Sequence, residues 1–155
     1  LIMGVSSSGM SEDKFTHLTY DLTMALAKPL KKLNPGMTLC YVSGAGTDST
    51  EKGRMMWARV KGKTENDLLN MGFKQAYMFR PGFIEPTPGL KNSYKIYKYL
   101  TPVIPVLRKL FPKYVSSLEE IGLAMIHVAA VGTDKQILEV RDIRNLAKIE
   151  TQRGA

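Results

Sequence analysis

The chain has little cysteine, tryptophan or histidine: its 155 residues include one cysteine, Cys40, one tryptophan, Trp57, and two histidines, His17 and His127. A single cysteine excludes an intramolecular disulfide framework and a Cys-based zinc site. The two histidines fall on separate expected helices without ligand companions, so packing or surface roles are expected and no metal. No uninterrupted apolar run approaches the roughly 20 residues that cross a bilayer. There is no low-complexity tract, collagen-like period or internal repeat. The first residues lack the basic segment, apolar stretch and cleavage site of a secretory leader, and a cytoplasmic protein is the expectation. With 44% hydrophobic and 23% charged residues and a mean hydropathy of -0.14, the composition is that of one ordinary soluble domain spanning 1–155.

Acidic residues are scarce in one place. The net charge is +8, and residues 86–115 contribute +6 of it through Lys91, Lys95, Lys98, Arg108, Lys109 and Lys113, with no Asp or Glu. The flanking stretches carry +3 (residues 1–85) and -1 (residues 116–155). Such a patch suits phosphate groups, anionic lipid or nucleic acid, and is equally the composition of a solvated helix face. No nucleic-acid recognition motif accompanies it, so no nucleic-acid partner is expected.

The chain opens on apolar Leu1-Ile2-Met3, then Gly4-Val5-Ser6-Ser7-Ser8-Gly9, which reads as the end of a buried strand and a small-residue loop. Ser11 is a good N-cap for a helix from Lys14 to Leu33, where apolar residues recur at helical spacing. Pro29 is expected to kink or end its last turn. Met37 to Val42 reads as a strand and Arg54 to Asn70 as a helix closed by Gly72. Phe73 to Phe79 reads as a second strand, followed by Arg80-Pro81-Gly82. This strand–helix alternation with short connections predicts a parallel sheet with helices on both faces. Ligands of such sheets bind at the carboxyl ends of the strands, here residues 4–9, 43–48 and 80–84.

Beyond Gly82 the pattern changes. Residues 85–115 read as a basic, Tyr-rich helical lobe over the strand ends, broken by prolines. Ser116 is expected to cap a helix from Leu118 to Val131, ended by Gly132. A strand from Gln136 to Val140 and a helix from Asp142 to Ile149 complete the chain. Cys40 is expected in the core. The dispersed methionines Met24, Met37, Met55, Met56, Met71, Met78 and Met125 are expected to fill gaps, and Glu119 and Glu120 to complement a helix N-terminus.

Gly44 and Gly46 do not form a pyrophosphate clamp, because the sixth position is Ser49 and the helix opens several residues later. Tyr41 and Ala45 flank Ser43 where a nucleophile elbow requires glycines, which argues against a serine hydrolase. Lys61, by contrast, follows Trp57 by four residues and shares its helix face. A serine at a strand end, followed in the next helix by an aromatic residue and a lysine at i+4, is a recognisable constellation.

Tyr41-Val42-Ser43-Gly44-Ala45-Gly46-Thr47-Asp48, Trp57-Ala58-Arg59-Val60-Lys61-Gly62-Lys63 and Phe79-Arg80-Pro81-Gly82 together resemble the later half of an atypical short-chain dehydrogenase/reductase. The likeness is to the NAD(P)-binding, nucleoside-diphosphate-sugar-epimerase-like group and runs from Gly4 to the final helix. It implies a Rossmann-like fold and NAD or NADP as cofactor, with Ser43 and Lys61 as catalytic residues. It also implies that Gly4, Val5, Ser6, Ser43, Lys61, Pro81, Gly82, Phe83 and Ile84 surround the nicotinamide end. The family's Gly-rich opening is not in the chain, and roughly 65 to 75 residues of nucleotide-binding half are expected ahead of Leu1. Trp57 stands where the family has its catalytic tyrosine. Indole donates a hydrogen bond but does not titrate usefully, so a proton would have to come from Thr47, Asp48 or Tyr94. Lys91 and Lys95 would face an anionic or nucleotide-linked substrate. The competing reading is a non-catalytic dinucleotide sensor, or a module whose basic segment meets a protein or membrane surface.

Overall fold

A computed structural model of the chain describes residues 5–85 and 114–154. The strand expected over residues 1–3, Gly4, and nearly all of the basic segment, with Lys91, Tyr94 and Lys95, lie outside the described residues. The rest is a mixed α/β fold with small parallel sheets. Its elements in order are α1 (Glu12–Thr16), a π-helical turn (His17–Asp21), α2 (Leu22–Leu33), β1 (Thr38–Val42) and α3 (Met56–Asn70). Then come β2 (Gln75–Arg80), β3 (Phe83–Glu85), β4 (Val115–Ser117), α4 (Leu118–Ala130), β5 (Ile137–Glu139) and α5 (Val140–Arg153). They form two compact units, one running up to Arg80 and including Thr133–Ile137, the other made of Pro81–Gly132 and the chain from Leu138 onward.

In the first unit, Ser11 caps α1 as expected, its side chain accepting from the Lys14 amide. The single helix expected from Lys14 to Leu33 is interrupted by the π turn. There the Thr23 hydroxyl donates to the Thr19 carbonyl at 2.5 Å, and a side chain entering the i to i−4 ladder accompanies such widened turns. Pro29 neither ends α2 nor shortens it: the helix continues to Leu33, and the Asn34 amide donates to the Leu30 carbonyl at 2.9 Å. Lys31 holds this last turn, donating to the carbonyls of Pro35 and Gly72 and lying over the Phe73 ring.

β1 and β2 pair in parallel, from Thr38 opposite Gln75 to Val42 opposite Phe79. The Ser43 amide extends the ladder by donating to the Phe79 carbonyl at 2.9 Å. β5 lies beside β2, giving the order β1-β2-β5, and the Met78 amide donates to the Gln136 carbonyl. β1 alternates, with Leu39 and Tyr41 buried and the residues between them half-buried, whereas β2 is buried from Ala76 to Arg80, as a central parallel strand should be. Met24 and Ala27 of α2, Leu68 of α3 and Phe73 join Leu39, Tyr41, Ala76 and Met78 in one apolar core. Cys40 points to the other face of β1 and is half-buried, not part of that core. Met24 and Met78 do fill the core, but Met55, just before α3, is exposed.

In the second unit, residues 83–85, expected as the end of the preceding strand and the start of the helical lobe, form a strand of their own: β3 pairs in parallel with β4, Phe83 opposite Val115. The Phe83 amide donates to the Tyr114 carbonyl at 2.7 Å. A β-carbon on Gly82 would lie 2.2 Å from that same carbonyl oxygen, so the close strand approach admits only glycine. The cap of α4 is Ser117, not Ser116. The Ser117 hydroxyl accepts from the Glu120 amide at 3.0 Å, and the Glu120 carboxylate accepts from the Ser117 amide at 2.9 Å. Ser116 belongs to β4, where its hydroxyl is buried without a hydrogen-bond partner. α5 begins earlier than expected, because Glu139 and Asp142 form a reciprocal cap around Val140. α4 and α5 pack on each other, and His127 is buried with Nδ1 2.9 Å from Glu150, the structural role expected for it.

One contact in the first unit fixes a residue type absolutely. A β-carbon on Gly62 would lie 1.8 Å from the Asp48 carbonyl oxygen, so α3 reaches the loop after β1 only through glycine. Gly62→Ala is expected to destabilise the protein by about 3 kcal/mol, because backbone on both sides must move. Urea unfolding measures this, and a loss under half that figure would mean the loop yields freely.

Candidate functional site

The carboxyl end of β1 and the facing side of α3 concentrate the polar groups of the first unit. Gly62 lets α3 lie against the loop after β1, and the helical period then presents Lys61 and Glu65, four residues apart, on one face. These two side chains take hold of the carbonyl and the hydroxyl of Ser43. The Lys61 ammonium donates to the Ser43 carbonyl at 2.5 Å. The Ser43 hydroxyl lies 2.5 Å from Glu65 Oε1 and 3.2 Å from the Phe79 carbonyl. Both are acceptors, and a hydroxyl has one proton to give; the shorter contact takes it, so Ser43 donates to Glu65.

Glu65 has no solvent exposure. A buried carboxylate requires compensation, and Arg80 at the end of β2 supplies it. Arg80 Nε lies 3.1 and 3.2 Å from the two Glu65 oxygens, and Nη2 lies 2.5 Å from Oε2. This is the two-pronged geometry that a guanidinium makes and an ammonium does not. Nη2 also donates to the Ser49 hydroxyl. Lys61 stands apart from this pair: its ammonium is bonded to the Ser43 carbonyl and, among the described residues, to no carboxylate. Burial lowers its affinity for a proton below that of an ordinary lysine, and the nearby Glu65 charge works against that fall. Among the described residues one of its three N–H donors is used, leaving two over.

The loop after β1 is tightly organised. Gly44 and Gly46 have positive φ values of 155° and 87°. The Thr47 hydroxyl donates to the Gly44 carbonyl at 2.8 Å and is buried. The Asp48 carboxylate accepts from the Thr50 hydroxyl at 2.6 Å, the Thr50 amide at 3.0 Å and the Gly53 amide at 2.6 Å. Those bonds, the Thr50 hydroxyl foremost, hold Asp48 below the usual carboxylate range, so it is an acceptor at neutral pH and not a proton donor. Trp57 lies along Gly46, whose β-carbon would sit 3.4 Å from the indole ring. Tyr41, two residues before Ser43, is also no relay in the neutral range: burial pushes its hydroxyl up to about 12.

The residues singled out from the sequence therefore fall into three groups. Ser43 and Lys61 are in direct contact, with Thr47 and Trp57 on the same loop and helix. Val5 and Ser6 are exposed ahead of α1. Pro81, Gly82, Phe83 and Ile84 belong to the second unit, where Pro81 is buried and Phe83 is exposed. Glu65 was not foreseen, nor the use made of Arg80. The available signal was positional: Glu65 follows Ala58 by seven residues and precedes Leu68 by three, so it is a charge on the core face of α3, which demands a partner. Among the described residues there is no group of three or more His, Cys, Asp or Glu suited to a metal ion. No helix of these residues is long and apolar enough to cross a membrane. Neither a protein-family model nor a curated protein sequence matches the chain.

The buried ammonium has a consequence for stability. The folded state releases the Lys61 proton at lower pH than the unfolded chain, whose lysines titrate near 10.5. The penalty for burying the charge is thus complete below the folded value and relieved as pH rises toward 10.5. Denaturant unfolding of wild type and Lys61→Met across alkaline pH should show the difference moving in favour of wild type through that window. A difference independent of pH would mean that the Lys61 amine is solvated in the folded protein.

Proposed function

We propose that this chain is an NAD(P)-binding protein of the atypical short-chain dehydrogenase/reductase type, with oxidoreductase or epimerase-like chemistry on an anionic or nucleotide-linked carbonyl or alcohol. The observation that carries the reading is the Lys61 ammonium bonded to Ser43 at the carboxyl end of a parallel strand. Parallel β1 and β2 linked through α3 make one crossover unit of a Rossmann-like sheet, and β5 on the far side of β2 extends it. Strand ends of such sheets are where dinucleotides lie.

The donor set suits the nicotinamide end of such a cofactor. Lys61 offers two unused N–H donors in a water-poor position, which matches the acceptor-rich ribose hydroxyls. The cofactor, when bound, supplies or accepts a hydride. The chain's own part is to hold the ribose through Lys61 and to fix the strand tip through Ser43, with Gly44 leaving backbone open beside it. The basic segment, with Lys91 and Lys95, would meet the substrate's negative charge in the cytoplasm. Reduced nicotinamide fluorescence in a titration with NADH and NADPH tests the reading. Lys61→Ala is expected to weaken binding by about tenfold, the loss of one charge-assisted hydrogen bond. Equal affinity in wild type and variant would remove Lys61 from the site.

Trp57 favours a second reading, a dinucleotide sensor without carbonyl chemistry. Its indole packs on Gly46 where the resembling family carries a titrating phenol. Thr47 and Asp48 are engaged in the loop and do not replace it. Under the catalytic reading Trp57→Tyr should confer or raise NADPH-dependent reduction of a panel of carbonyl compounds. Under the sensor reading that variant binds the cofactor and reduces nothing.

A further inference from the structure

Lys61 and Glu65 grip one serine from successive turns of α3, the ammonium on its carbonyl and the carboxylate on its hydroxyl. Neither grip is adjustable. Ser43 is nearly buried and Glu65 wholly so, and three N–H···O contacts from Arg80 fix the carboxylate. We infer that Glu65 is a positioning residue of this site: anchored by Arg80, it locks the strand tip through Ser43 and supplies the negative charge against which the buried Lys61 ammonium is kept. What Lys61 does for a ligand rests on the function proposed above; how Glu65 governs Lys61 does not.

The physical argument has two parts. Geometrically, the main-chain oxygen that receives the Lys61 proton belongs to the residue whose side chain Glu65 holds, so the ammonium is aimed by way of Glu65. Electrostatically, an ammonium removed from water is costly unless opposite charge is near. The groups acting on the Lys61 amine are Glu65 from its own helix and the Ser43 carbonyl after β1; Arg80, from β2, faces Glu65. Burial favours the neutral amine and Glu65 favours the ammonium. Without Glu65 only the first influence remains.

The experiment follows the Lys61 amine directly in the cofactor-free protein. Lysine side chains are labelled by reductive 13C-methylation and titrated by NMR, with the Lys61 signal assigned from Lys61→Arg. In Glu65→Gln, which keeps an acceptor for Ser43 but no charge, the Lys61 midpoint should fall below that of wild type. Glu65→Asp should hold it nearer to wild type. Glu65→Gln leaves the Arg80 guanidinium buried without its counter-ion, which threatens folding. Glu65→Gln/Arg80→Gln replaces the pair by two neutral amides, and the midpoint should fall there too. A Lys61 midpoint unchanged in the folded variants would overturn the inference, reducing Glu65 to a core ion pair. The second readout is the pH profile of NADPH binding, whose alkaline limb should move to lower pH in the same variants. If wild type binds no reduced nicotinamide, the functional proposal fails while the NMR titration still decides the role of Glu65.

Discussion

A carboxylate with no access to water, sharing two N–H groups of one arginine, is the constraint around which the first unit is arranged. Glu65 sits on the core face of α3, and burial of its charge is tolerable only because Arg80 arrives from the end of β2 with a planar fork. Such a pair contributes little net stability against an apolar replacement, but removing one partner costs several kcal/mol. Its value is geometric. It sets where α3 crosses β2, and through the Ser43 hydroxyl it sets where β1 ends. The neighbouring Gly62 completes the arrangement by letting the helix touch the Asp48 carbonyl.

Once that contact is in place, the chemistry of the strand tip follows. Arg80 and Glu65 pair with each other, and Lys61 is the ammonium that stands on Ser43. The Ser43 proton is given to Glu65, so a ligand meets an ammonium with spare donors rather than a serine with a spare proton. Thr47 and Asp48, which on sequence grounds were candidate proton donors, hold the loop instead. A lysine without a neighbouring phenol is suited to holding hydroxyl groups. Trp57 at the head of the same helix face adds a flat apolar wall against Gly46.

The second unit shows the same economy with different means. The reciprocal caps of Ser117 with Glu120 and Glu139 with Asp142 start two helices without spare residues between strand and helix. Arg144 ties α5 to β4 by donating to the Val115 carbonyl at 2.8 Å. His127 and Glu150 pair between α4 and α5. Among the described residues of this unit, no charge is as deeply buried as Glu65.

Local signals in the sequence determined the helix of Arg54 to Asn70, the strands on either side of it, their parallel pairing, and the capping role of Ser11. These features depend on period, turn residues and short connections, all of which act within a few residues. The family resemblance, not helical spacing, put Lys61 with Ser43: the period sets Lys61 on the face of Trp57, and its bond to Ser43 comes from where α3 lies against the loop after β1. The local reading lost the π turn and the continuation of α2 past Pro29, because the Thr23 hydroxyl and the contacts of Lys31 with Gly72 and Phe73 override local preference. It read residues 83–85 as the end of the preceding strand and the start of the helical lobe, because a separate three-residue strand exists only by virtue of its partner some 30 residues later. Glu65 could be seen from its helix position to need a counter-charge; that Arg80 is that charge was decided by tertiary structure alone. An ion pair between residues 15 apart forms where two elements cross, and the crossing is a property of the packed core rather than of either segment.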